Sequence, residues 1–445
     1  MGTLRSNPAF VRLFVGRVVT NAGDSLYAIA AMWLVFDLTG SSFYTGVASF
    51  LTLGPQALRF LAGPLVDRWS LRRVLVGTQA AQAVGVLAVP VAAATGHLSV
   101  WVVLAVVPVL SLVSQFDSPA MTAALPRIVD DDDLVRANSL FSAAGQSLDM
   151  VCNAASGVLV AVVGAVAIYV VDAATFVAAL ALFRGLAVDA REPAGPSEPA
   201  RRSESDEASS EDPADEADLT DDPGSARDSD PADGVFADYV DRLREGFDYL
   251  RGSAVASMVL GAVVVNFSFG AMLAVLPAFA DSLGGPGTYG LLMAAVAAGS
   301  LVGSAGSSAV EGYPFGRLSV VGFGVSTACL FGAVRVDGTP ATAALFFAAF
   351  VPTGAFNVVF FSMLQSAVDD DMLARVSSVA SSGSAAMAPV GSLVGGSLAG
   401  AFGVESGLYG VAAATGFLTV YFLGRPRIRT LPPVAEADEA VLGLG

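Results

Sequence analysis

There is no lysine among the 445 residues, a single histidine, two cysteines and little charge of any kind: 14% of positions are charged, whereas 54% are hydrophobic. Each shortage excludes something. Without lysine there is no Gly-Lys-Ser or Gly-Lys-Thr phosphate loop, so direct hydrolysis of a nucleoside triphosphate is not expected. Cys152 and Cys329 both fall in apolar runs and have no metal-ligand spacing, so no metal centre or other cofactor is expected. A charged fraction so far below the ~25% usual for soluble domains excludes an ordinary soluble protein.

What charge there is has one location. All 23 basic residues are Arg, and 16 of the 40 acids lie between positions 189 and 233 with only four Arg among them. Most of the net charge of -17 therefore belongs to a solvated segment, and nucleic acid is not an expected partner. That segment is rich in Pro, Ser, Asp and Glu and cannot bury enough apolar surface to order itself.

The remainder holds apolar runs of the ~20 residues needed to cross a bilayer core of ~30 Å. Twelve are predicted: 10–36, 42–66, 73–95, 98–124, 137–163, 166–187, 254–280, 287–310, 315–335, 340–365, 375–400 and 404–424. Single long runs imply helices, because barrel strands alternate in ~10-residue segments. Arg5, Arg12, Arg68, Arg72, Arg73, Arg127, Arg136, Arg317, Arg375, Arg425, Arg427 and Arg429 all fall on one side of this layout, and only Arg335 on the other. The excess marks the cytoplasmic face, so a multi-pass protein of the cell membrane is expected, with both termini cytoplasmic.

The expected organisation is an all-α membrane protein of twelve transmembrane helices. Residues 1–188 form a first six-helix half, 189–234 a disordered acidic cytoplasmic linker, 235–252 an amphipathic helix on the cytoplasmic surface, 253–424 a second half and 425–445 a cytoplasmic tail. An internal repeat supports two halves. Val129, Asp130, Asp131, Asp132, Leu134, Arg136 and Ser139 recur in order and spacing as Val368, Asp369, Asp370, Asp371, Leu373, Arg375 and Ser378, both times between the fourth and fifth span of a half. Two six-span halves repeated in parallel place a binding site at midplane, where they meet.

The loop after the second span reads Gly63, Pro64, Leu65, Val66, Asp67, Arg68, Trp69, Ser70, Leu71, Arg72, Arg73. With six spans on each side it resembles the G-x-L-a-D-R-x-x-R-R loop of the major facilitator superfamily. The resemblance runs from Asn7 to about Leu423 and is nearest to the macrolide and enterobactin efflux branch, through residues 7–41, Phe116, Pro119, Ala120, Leu125, Pro126, Leu134, Ala137, Asn138, Ser139, Leu140, Asp172, Ala173 and Phe176. It implies the major facilitator fold, alternating access, and a gating loop formed by Gly63, Asp67, Arg68, Arg72 and Arg73. The helix 5 antiporter motif of that family, G-x-x-x-G-P-x-x-G-G, departs here to Ser147, Asp149, Asn153, Ala154, Ser156 and Gly157.

Ionisable groups inside a bilayer mark function by default, since each costs at least ~2.5–3.5 kcal/mol to insert. Asp24 and Asp149 sit near the middle of spans 1 and 5, and with Arg17 and Arg59 they are the coupling candidates. A structural ion pair of Asp24 with Arg17 or Arg59 is the competing role. Asp172, nearer the Arg-poor surface, reads as a packing or tethering group, as does Asp117 nearer the Arg-rich end. The resemblance further implies a cavity lined by spans 1, 4, 7 and 10, making Asp117, Asn153, Asn266, Asn357, Phe267 and Phe360 the candidate cavity residues. Gly299 with Gly303, Gly391 with Gly395 and Gly396 with Gly400 are each spaced for close helix packing. The expectation is a secondary transporter that exports a lipophilic small molecule, with H+ or Na+ as coupling ion. Metabolite uptake, a transport-silent sensor, and an intramembrane enzyme using Asp24 with Asp149 are the alternatives.

Overall fold

The computed structural model describes residues 2–58, 69–186, 244, 253–368, 370–433 and 436. The linker 189–234, all of 235–252 except the helical, exposed Arg244, and the loop residues Arg59, Gly63, Asp67 and Arg68 lie outside the described residues. Among the described residues there is no strand. Among the described residues twelve helices carry the fold: α1 Pro8–Thr39, α2 Ser42–Leu53, α3 Leu71–Ala94, α4 Val100–Ile128, α5 Asp131–Val163, α6 Ala165–Arg184, α7 Ala254–Leu283, α8 Pro286–Ala305, α9 Phe315–Arg335, α10 Thr339–Ala367, α11 Asp370–Phe402 and α12 Val404–Gly424.

Ten of these are long and apolar enough to cross a membrane. The other two, α2 and α5, run into residues or side chains outside the described set: the described part of α2 is 12 residues, followed by a 3-10 turn over Gly54–Leu58, and several side chains in the middle of α5 are not described.

Helices α5 and α11 begin five or six residues earlier than their apolar runs. The acids that read as loop instead form their first turns, where the partial positive charge of a helix N-terminus favours carboxylates. The sequence repeat maps onto one repeated joint: Val129 and Val368 are both extended, at φ -117° and -108°, and both are buried in the core of their own half. At the start of α1, Asn7 Oδ1 accepts from the backbone N–H of Ala9 and Phe10 at 3.0 and 3.1 Å, and its Nδ2 donates to Ile128 O at 2.7 Å. That cap ties α1 to the end of α4.

The two ends of the bundle differ. Every turn at the Arg-poor end contains a glycine in the left-handed region, among them Gly40, Gly164 and Gly403, so the helices there are joined tightly. Arg335 at that end lies across the rings of Phe331 and Tyr409 and donates to Tyr409 Oη at 2.5 Å. Apolar packing is also asymmetric. Toward the Arg-poor end a single core draws on both halves, joining Ile29 to Val35, Val86, Val107 and Ile168 with Met272, Leu276, Leu292, Phe346 and Val411. Toward the Arg-rich end there are two cores: one of first-half residues such as Phe10, Leu13, Leu75 and Phe183, one of second-half residues such as Phe323, Phe356 and Phe422. Residues after α12 belong to the latter, with Ile428 and Leu431 buried in it and Phe315 N donating to Pro432 O at 3.3 Å. The first stretch of the expected tail is thus docked against α9.

Candidate functional site

Polar groups inside the first half gather along α1. Helices α1 and α6 run antiparallel: Arg12 donates to Gly185 O, Gly16 lies against the Phe183 ring, Gly23 against Asp172 and Thr175, and Tyr27 meets Tyr169 edge to face at 5.1 Å. The absent side chains at Gly16 and Gly23 permit this approach, since a Cβ at either would overlap the facing side chain.

Arg17 does not pair with Asp24. The spacing of seven residues puts both on one face of α1, but the guanidinium reaches instead to Asp117 of α4, 3.5 Å from its Oδ2. Asp117 is 4% exposed and also accepts from Gln82 Nε2 at 3.2 Å and Gln79 Nε2 at 3.5 Å, both on α3. A buried carboxylate needs a cation and several donors, and Arg17 of α1 with Gln79 and Gln82 of α3 supply them to Asp117. Asp117, expected on a cavity wall, is therefore enclosed in a knot of α1, α3 and α4. Arg72 donates to Arg184 O at 2.5 Å, so with Arg12 it satisfies carbonyls at the C-terminus of α6, while Arg73 is exposed.

The remaining candidates scatter. Asn266 bonds back to Ala262 O on its own helix at 3.0 Å, Phe267 is half-buried and Asn357 is exposed. Phe360, also expected on the cavity wall, is 1% exposed: it stacks on Phe356 at 5.9 Å and belongs to the second-half core, because that face of α10 meets α9. The side chains of Asp149 and Asn153 lie outside the described residues; their backbone is helical in α5.

What sequence reasoning missed is the pairing of α1 with α6. Asp172 lies two turns inside α6, is 1% exposed and stands against Gly23, so of the packing and tethering roles expected for it the packing one fits. Asp24 acts on it electrostatically. The signal was present as Asp24-x-x-Tyr27 on one helix and Tyr169-x-x-Asp172 on the other, mirror patterns that an antiparallel pair brings level, Asp by Asp and Tyr by Tyr.

The halves touch through small residues near the Arg-poor end. Gly157 of α5 lies against Gly290 of α8, and Gly46 of α2 against Gly396 of α11. Trp33 of α1 stacks on Tyr289 of α8 at 5.9 Å. The glycine spacings noted above serve several partners: Gly299 and Gly303 receive α10, Gly391 and Gly395 receive α7, and Gly396 and Gly400 receive α2.

With this geometry in view, comparison with known proteins gives consistent results. The family model of the Major Facilitator Superfamily matches residues 13–319, more than half of the chain. Macrolide efflux protein A of Streptococcus pyogenes is 26% identical over 151 residues, 34% of this chain and 37% of that protein. An uncharacterized MFS-type transporter of Mycobacterium tuberculosis is 31% identical over 147 residues, 32% of this chain and 33% of the other. The chain thus spans about a third of the length of these relatives. Among solved structures, a bacterial homologue of the iron transporter ferroportin in an inward-facing state aligns with a TM-score of 0.67 at 14% identity, over 95% of this chain and 99% of that one. A bacterial homologue of the human lysosomal transporter Spinster, inward-facing and unoccupied, aligns with a TM-score of 0.66 at 14% identity, over 97% of each.

Proposed function

The chain belongs to the Major Facilitator Superfamily, which makes it a multi-pass membrane transporter rather than an enzyme, and from that premise we propose that it exports a lipophilic small molecule in exchange for protons by alternating access. The observation that carries the reading is the asymmetry of packing: one core shared by both halves at the Arg-poor end, separate cores at the Arg-rich end. If the Arg-rich end is cytoplasmic, this is an inward-facing state, and the conversion to outward-facing rocks the halves about α2, α5, α8 and α11. On this reading the loop carrying Gly63, Asp67, Arg68, Arg72 and Arg73 latches the Arg-rich end in the opposite state.

A lipophilic cargo is supported by the macrolide efflux relative and by the half-buried or exposed rings of Phe267, Phe269 and Phe361 on α7 and α10. Proton coupling is assigned to Asp24, at the midpoint of α1. Because coupling requires proton and cargo to bias the same two conformations, the driven direction reverses with the gradient. Proteoliposomes with an acidic lumen should accumulate a labelled macrolide and release it when a protonophore collapses the gradient. Accumulation that follows a sodium gradient instead, or none with any amphipathic drug tried, would overturn the reading.

A further inference from the structure

We propose that the second half holds one buried water molecule at the middle of the membrane, in a small hydroxyl-lined cavity where α7, α9, α10 and α12 converge. Its occupant is neither cargo nor coupling ion, so the site does not depend on the direction of transport.

Four hydroxyl side chains line this cavity, one from each helix: Ser268, Ser326, Thr353 and Thr415. Each stands within about a residue of the midpoint of its own helix, so the four meet at one depth. Much of the remaining wall is apolar and enclosed, with Leu330, Ala349, Phe350 and Val411 all buried. A hydroxyl at mid-depth has no bulk solvent to bond. Yet the oxygen of Ser268, which is 5% exposed, has no hydrogen-bond partner among the described residues. A buried hydroxyl left so is costly, which marks the cavity as the place where its partner belongs.

The gap has a local cause. Pro352 lies inside α10 one residue before Thr353, and a proline ring removes a backbone donor and bends the turn before it. The space is about 20 Å³, above the roughly 10–15 Å³ that a single water needs.

Counting protons selects the occupant, since each hydroxyl has one proton and two lone pairs. Ser326 donates its proton to Ala349 O at 2.6 Å, and Thr415 donates its own to Ala412 O at 2.9 Å. Those two oxygens therefore offer lone pairs to the cavity, whereas Ser268 still has a proton to give. A group seated there has to donate to Ser326 and Thr415 and accept from Ser268. Water does both, and the resulting three bonds are about what a buried water makes. An anion cannot donate at all. A sodium ion could use the lone pairs, but it would bring a charge to mid-depth with no carboxylate among the residues lining the cavity.

The test uses the full chain in nanodiscs. A brief X-ray pulse splits water into hydroxyl radicals where the water sits, and mass spectrometry reads the side chains they mark. Leu330 and Phe350 should be marked in the parent well above Phe422, which is fully buried in the second-half core at the Arg-rich end. Ser268→Thr, whose added methyl takes the place of the water, should lose the marking at both positions. Ser268→Val covers the case in which the threonine turns its methyl aside, and the parent measurement decides whether or not either variant folds. Marking in the parent no higher than at Phe422, or marking that persists in both variants, would overturn the proposal. So would parent marking that sodium ions abolish, because the cavity would then hold the ion in place of water.

Discussion

Asp117 shows what a buried charge demands of its neighbours. With Arg17, Gln79 and Gln82 all aimed at it, its removal leaves a partly buried guanidinium and two amides without their acceptor. Asp117→Ala should therefore destabilise the protein by about 1–3 kcal/mol. A double-mutant cycle with Arg17→Gln, read by thermal unfolding in detergent, should return a coupling of about 0.5–3 kcal/mol; additivity would mean that the pair is not formed. The sequence located Asp24 and Asp117 at useful depths but mispaired Arg17, because helix periodicity fixes the face a side chain leaves from and not which neighbouring helix it meets. Asp172 read as a packing or tethering group, and which of the two holds was not legible for the same reason. Its depth along α6 was readable, whereas its enclosure depends on Gly23 and Tyr27, 145 or more positions away in the chain. Phe360 illustrates the converse: an aromatic on a membrane helix can face lipid, cavity or core, and only the packing of α9 against α10 decides.

At the scale of elements, two glycine contacts occupy equivalent places. Gly46 near the start of α2 meets Gly396 of α11, and Gly290 near the start of α8 meets Gly157 of α5. Each joins the second helix of one half to the fifth of the other, as a repeat demands. A side chain at any of them would overlap backbone, so Gly157→Val should prop the Arg-poor end apart. The expected outcome is increased solvent labelling of a cysteine placed at Tyr289, which is 1% exposed in the parent, without loss of membrane insertion. Unchanged labelling would show that this contact does not seal that end. Gly157 also belongs to the altered helix 5 motif, and its partner gives a glycine at that place a steric reason. Among the described residues the membrane helices were legible because a run of ~20 apolar residues is a local signal. The starts of α5 and α11 were not, since Asp at the first turn of a helix and Asp in a loop look alike until the helix dipole is taken into account.

For the whole molecule, the Arg distribution and the repeat were enough to anticipate two halves and a distinct face, as both are properties of the chain taken end to end. The asymmetric core was not legible, because which end is closed belongs to a conformation and not to a composition. Orientation is checked by reporters fused near Ser209 and after Gly445, both of which should report the cytoplasm. Rocking of the halves is checked by distance. After replacement of Cys152 and Cys329, spin labels at Arg136 and Tyr313 span the Arg-rich end, and labels at His97 and Asp337 the opposite end; all four positions are exposed. Changing pH and adding a transported drug should shorten one distance while lengthening the other. Two distances that change in the same sense, or neither changing under conditions that support transport, would contradict alternating access by these two halves.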